Sequence, residues 1–219
     1  MPDKPICARA DGLKVAWPRP AVYNPPDLWG DGERMGKPPQ VLKRERIFSG
    51  RKVALEVHHI RAADGRETTR EVIRHGGSVA ILAFPEPGRV LLEKNWRYAL
   101  GREVIELPAG TLDEGEDPRA CAARELAEET GYRAGCLESL LVIHPSPGIL
   151  SERLEIFLAE DLAPDEPERE AGEQIENVLV PLDEAYQMIR DGRITDAKTV
   201  AALLFWRTFR AGPTGGGNA

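Results

Sequence analysis

Short runs of apolar and alternating residues fill most of the middle of the chain. VALEVHHI (53–60) and TTREVIRH (68–75) read as strands, and the RAADGRE between them holds an Asp64-Gly65 pair, the turn signal of a hairpin. SVAILAF (78–84) and RVLLEKNWR (89–97) flank PEPG, which predicts a second hairpin. REVIELPA (102–109), LESLLVIHP (137–145), RLEIFLAEDL (153–162) and QIENVLVPL (174–182) are further strand runs. LDEAYQMIRDG (182–192) and DAKTVAALLFWRTFR (196–210) carry helical spacing, the latter placing Val200, Leu203, Leu204 and Phe205 on its apolar side. The sum is an α/β (α+β) fold with a mixed sheet and a few helices.

One segment breaks the strand rhythm. In GTLDEGEDPRACAARELAEETGY (110–132), Asp117-Pro118 is a helix start, with an N-cap carboxylate followed by proline at the first helical position. Gly131 is the stop. At about 100° per residue, Ala120, Ala123, Leu126 and Ala127 share a small apolar side. Glu125, Glu128 and Glu129 share another, with Arg124 four residues before Glu128. An acidic cluster is ordinarily a solvated face. Three carboxylates late in a helix, however, repel one another and oppose the helix dipole. A hard divalent cation removes that objection, because Mg²⁺ takes oxygen ligands and bridges carboxylates to phosphates. Glu116, in the loop before the helix, can fold back to join them.

Composition narrows the options. With 42% hydrophobic and 30% charged residues the chain suits a globular protein. Its net charge of −7 disfavours a nucleic-acid partner. Cys7, Cys121 and Cys136 are an odd number without metal-site spacing and read as reduced thiols, so a cytoplasmic location is expected. No apolar run is long enough for a membrane span or an export signal. Residues 1–40 are Pro- and Gly-rich and read as an irregular arm carrying Trp17, Tyr23 and Trp29. Residues 211–219 read as a disordered tail. His58, His59, His75 and His144 have no metal spacing among them.

The spacing Gly110, Glu116, Arg124-Glu125, Leu126, Glu128-Glu129, Gly131 resembles the Nudix box, the signature of enzymes that hydrolyse nucleoside diphosphates linked to another moiety. Tyr132 stands where an aliphatic residue is usual. The resemblance covers about residues 41–210 and implies an α/β/α sandwich with a mixed sheet: a β-hairpin region over 41–76, then the hydrolase domain over 77–210. It implies that Glu125, Glu129 and the Ala109 carbonyl hold Mg²⁺ or Mn²⁺. Glu128 would support a second ion, and Arg124 would orient the glutamates. The flanks RYALGREVIELPAG and HPSPGILSERLEIF resemble the ADP-ribose and ADP-sugar pyrophosphatase branch. That branch implies substrate contacts from Arg97, Glu106 and the Pro147-Gly148 of SPG. It also implies a late-loop glutamate as general base, best matched by Glu173, with Glu166, Glu168 and Glu170 as alternatives. A homodimer acting on a nucleotide sugar is the expectation. Where the branch stacks adenine on aromatics, this chain has Lys52, with Phe48, Trp17 or Trp29 as substitutes. GDP- and UDP-sugar substrates therefore stay open. A nucleoside triphosphate pyrophosphohydrolase and a non-catalytic ADP-ribose sensor are the rival readings.

Overall fold

In this computed structural model residues 38–169 and 174–210 are described. They divide into two compact units: residues 38–77 with 144–153, and residues 78–143 with 154–210.

The first unit is built on an antiparallel three-stranded sheet, β1 (Gln40–Ser49), β2 (Val53–Arg61) and β3 (Glu67–His75), in that order. The expected hairpin is β2–β3, with Val53 opposite His75 and Arg61 opposite Glu67. Gly65 closes its turn by donating to the Ala62 carbonyl at 2.9 Å. Strand β1 was not foreseen. Its residues are almost all exposed, so no buried alternation marks it in the sequence. Residues 144–153 dock on β3: Ile73 donates to the Ile149 carbonyl at 2.8 Å, and Ser151 returns a bond to the Ile73 carbonyl at 2.9 Å. Gly148 lies on this segment, beside a cavity of about 150 Å³ that Val72 also lines.

The second unit holds two sheets and three helices. One sheet has β7 (Ala109–Thr111), β4 (Ser78–Ala83), β9 (Leu154–Pro164) and β8 (Tyr132–Ile143) in that order. The other has β10 (Ile175–Pro181), β5 (Arg89–Arg97) and β6 (Arg102–Glu106). The second expected hairpin is therefore corrected: β4 and β5 lie in different sheets. The reason is burial. All six residues of β4 are buried, and it pairs in parallel with β9. An unbroken apolar run of that kind marks an interior strand rather than one arm of a half-solvated hairpin.

Strand β4 feeds two cores. Val79, Ile81 and Ala83 pack with Cys121, Ala122 and Leu126 of α1 (Pro118–Thr130). Ala80 and Leu82 pack with Met188 of α2 (Leu182–Arg190) and with Ala202 and Leu203 of α3 (Ala197–Phe209). Helix, sheet, helix is thus the layering, as the sequence implied. The apolar faces of two helices need correction. In α1 the buried residues are Cys121, Ala122, Leu126, Glu129 and Thr130, while Ala120 and Ala123 are exposed. In α3 the buried residues are Lys198, Thr199, Ala202 and Leu203, while Leu204 is exposed. Alanine and charged residues hid the true stripes, because neither type marks a buried face on its own. Cys121 is a free, buried thiol, as expected, whereas Cys136 is disulfide-bonded, which departs from the expectation of three reduced thiols. No helix among the described residues is long and apolar enough to cross a membrane.

Candidate active site

Helix α1 begins as the sequence foretold. The Asp117 carboxylate accepts from the amides of Arg119 and Ala120 at 3.0 and 3.1 Å. The helix ends at Gly131, in the left-handed conformation with φ 71°. A Cβ there would also stand 2.6 Å from the Asp165 carbonyl oxygen, so glycine is required twice over. Asp165 in turn donates to the Gly131 carbonyl at 2.6 Å, and Arg169 Nε donates to the Glu129 carbonyl at 3.0 Å. The loop after β9 thus clasps the last turn of α1.

The carboxylates converge on one stretch of backbone. Glu129 is buried, and its Oε2 accepts from the Ala109 amide at 3.0 Å. The Glu125 carboxyl rests against Gly110, where a Cβ would lie 1.9 Å from its Cδ. Arg124 ties the set together. Its Nε and Nη2 hold the two oxygens of Glu116 at 3.0 and 3.1 Å, and its Nη1 reaches Glu125 at 2.7 Å and Glu128 at 3.1 Å. Glu116 also accepts from the Asp113 amide at 2.9 Å. Those bonds, the Arg124 ones foremost, hold the Glu116 carboxyl at about 2. The same partners raise Arg124 further, so it stays charged. Burial, then the Glu116 carboxylate, pushes the Cys121 thiol up to about 12 and keeps it inert. A cavity of about 300 Å³ lies on the outer side of α1, lined by Arg124, Glu128, Arg133, Glu166 and Glu168.

Next to this set stands a second ion cluster. Glu106 is buried, with Oε1 2.6 Å from Arg97 Nη2 and Oε2 2.6 Å from Lys198 Nζ. Lys198 also meets Asp196 at 3.1 Å. Glu106 is followed by Leu107, whose amide donates to Thr199 Oγ1 at 2.8 Å, and then by Pro108 and Ala109. One short segment thus connects the Arg97 cluster to the glutamates of α1.

The matched spacing, the layered fold and this geometry have one explanation. A NUDIX domain model matches residues 74–203. The chain is 37% identical over 168 residues to "ADP-ribose pyrophosphatase" of Bacillus subtilis (strain 168), which covers 76% of this chain and 91% of that protein.

The chain belongs to the Nudix family.

A second relative, "GDP-mannose pyrophosphatase" of Yersinia enterocolitica, is 38% identical over 146 residues, covering 62% of this chain and 76% of that protein. The solved "Crystal structure of ADP compounds hydrolase" shares the Nudix fold, with TM-score 0.71 at 23% identity over 80% of this chain and 95% of its own. In the Nudix box, Arg124 gathers Glu116, Glu125 and Glu128, and Glu129 reaches the amide of Ala109 just before the box. Arg97 and Glu106 meet each other, while Gly148 sits in the other unit. Glu173 and Glu170 lie outside the described residues. Sequence reasoning missed Lys198, a buried cation inside a run that otherwise looks like a plain amphipathic helix, and Glu93, a charge inside an apolar strand. In both, the odd residue in an apolar stretch was the available signal.

Proposed function

We propose that this chain hydrolyses the pyrophosphate bond of ADP-ribose or a related nucleoside diphosphate sugar, giving a nucleoside monophosphate and a sugar phosphate. One observation carries the reading: Glu125 and Glu129 converge on the Ala109–Gly110 backbone, with Arg124 clasping the box. The activities by which the Bacillus and Yersinia relatives are named support the substrate class.

The donor set suits a hard divalent cation. Mg²⁺ is held by one or two carboxylates, waters and substrate phosphate oxygens rather than by a closed protein cage. Glu125, Glu129 and the Ala109 carbonyl would hold Mg²⁺ or Mn²⁺, with Glu128 beside them. When bound, the ion neutralises the pyrophosphate and lowers the pKa of a water ligand. Arg124 keeps the carboxylates oriented through charge-assisted bonds. Arg97, braced by Glu106, turns its remaining N–H donors to substrate phosphate. A water oxygen bonds to one phosphorus as the bridging P–O bond breaks, and a loop carboxylate takes the proton. Glu173 is assigned that role from the family resemblance; Glu166, Glu168 and Glu170 are the alternatives, the first two beside Glu128 in the same cavity. A homodimer, the expectation carried by the resemblance, is the proposed working unit.

The test is metal-dependent turnover of ADP-ribose, ADP-glucose, GDP-mannose, UDP-glucose and 8-oxo-dGTP by wild type and Glu129→Gln. AMP release from ADP-ribose, lost in the variant, supports the reading. The Yersinia relative favours GDP-mannose as the second substrate, and preference for it would move the substrate while keeping the chemistry. Pyrophosphate release from 8-oxo-dGTP alone would establish a triphosphatase instead. Tight ADP-ribose binding with no turnover of any compound would establish a sensor.

A further inference from the structure

Glu93 is a buried carboxyl that the proposed reaction does not use. It sits in β5, 1% exposed, and its Oε1 is buried without a hydrogen-bond partner. It is opposite Asn177 of β10 on one side and Glu106 of β6 on the other. Directly opposed residues of antiparallel strands share a face, so Asn177, Glu93 and Glu106 form one row across three strands. Leu91, two residues earlier and on the same face, packs in the core that α1 covers.

Asn177 has a fixed orientation. Its Nδ2 donates to the Thr130 carbonyl at 3.0 Å, and a carbonyl can only accept, so the amide cannot be flipped. That leaves Asn177 Oδ1, which is buried and has no donor. Glu106 Oε1, the third oxygen of the row without a hydrogen bond, has Arg97 Nη2 2.6 Å away, so the directly opposed Glu93 and Asn177 hold the two oxygens that no cation meets. An ionised Glu93 cannot satisfy Asn177, because both groups would then be acceptors. A proton on Glu93 satisfies both at once.

We propose that Glu93 is a positioning residue, a neutral carboxylic acid that donates to Asn177 Oδ1 and so fixes the last turn of α1. Thr130 ends that helix and follows Glu129, so the chain of bonds runs Glu93, Asn177, Thr130 to the neighbour of a metal-ligand candidate. The charges around Glu93 are Glu106 on β6, Arg97 at the end of β5, Lys198 on α3 and Arg169 in the loop after β9. The three cations favour ionisation. Burial opposes it more strongly, and Glu106, already engaged by Arg97 and Lys198, adds repulsion. The net effect pushes Glu93 up to about 8.

The consequence for turnover rests on the hydrolase reading; the protonation does not. The test uses the full chain as wild type, Glu93→Gln, which keeps a neutral donor, and Glu93→Met, which keeps length without one. The infrared difference between wild type and Glu93→Gln at pH 7 should contain a carboxylic-acid C=O band that fades as pH rises past about 8. Glu93→Gln should turn over close to wild type, with unchanged half-saturating Mg²⁺ and no loss of Mg²⁺ affinity on the alkaline side. Glu93→Met should need on the order of 10-fold more Mg²⁺. Absence of the acid band, or a Glu93→Gln as impaired as Glu93→Met, overturns the proposal. If wild type itself hydrolyses nothing, the hydrolase reading falls, and the band alone still decides the state of Glu93.

Discussion

The carboxyl of Glu125 occupies the space that any side chain at Gly110 would need. A Cβ at 110 would stand 1.9 Å from both Cδ and Oε1 of Glu125. No rotation of a methyl group relieves such an overlap, so Gly110→Ala must move the carboxylate, the backbone or both. The Ala109 amide that holds Glu129 is the adjacent residue. Misplacement by about 1 Å costs on the order of 10²-fold in rate. Gly110→Ala should therefore lower kcat at saturating metal by about that factor while thermal unfolding stays cooperative. Steady-state kinetics with a melting curve checks it, and near-wild-type turnover would remove Glu125 from the site.

Arg124 makes a second prediction, because its planar fork engages three glutamates. Lysine carries the charge but cannot reproduce the paired bonds to Glu116. Arg124→Lys should lose about 10- to 100-fold in metal affinity or turnover. Its acid stability should change as well. Glu116 has a folded pKa of about 2, below its ordinary 4.5, so its contribution to stability is present above about 4.5 and is lost as pH falls toward 2. Without the fork that contribution shrinks, and the melting temperature of Arg124→Lys should fall less steeply over that window. Parallel melts from pH 5 to pH 2 decide the matter.

Lys198 and Glu106 form a buried pair, and breaking one side leaves a charge underground. Lys198→Met should destabilise by up to about 3–5 kcal/mol, with Arg97 supplying partial compensation at the other oxygen. Removing both charges, as Lys198→Met with Glu106→Gln, should recover part of the loss. Urea unfolding of the two single variants and the double gives the coupling directly, and strict additivity would mean the pair is independent.

At Gly131 the prediction concerns backbone alone. Alanine in the left-handed region costs roughly 1–2 kcal/mol, and here the Cβ also meets the Asp165 carbonyl. Gly131→Ala should lower stability by at least that amount and loosen residues 165–169, read as faster protease cleavage there. Unchanged cleavage would mean that the clasp between loop and helix is dispensable.

What the sequence disclosed follows how local each signal is. The ends of α1 were legible because Asp117, Pro118 and Gly131 act within one turn of themselves. The box spacing was legible for the same reason: Arg124 meets Glu125 and Glu128, while Glu129 turns inward to the Ala109 amide. Partners chosen across the fold were not legible. PEPG looked like a hairpin turn, yet β4 found β7 and β9, because an all-apolar strand is stabilised most by burial on both faces. β1 hid because its side chains face solvent. The stripe of α1 was misplaced because a buried carboxylate, Glu129, lies on it, and its amide partner at Ala109 is 20 residues away. Glu93 and Lys198 stood in plain view as charges in apolar company, but their partners come from other strands and helices.

The two-sided allegiance of β4 has a further consequence. Successive residues on it answer to different neighbours: Ile81 to the helix with the glutamates, Leu82 to the helices that scaffold the opposite layer. A change at one position is felt on one flank and hardly at all on the other. Rigidity beneath the glutamates and robustness of the scaffold can therefore be adjusted separately, by residues that are adjacent in the chain. Paired libraries at 81 and 82 would explore catalysis and thermal tolerance as two nearly independent axes.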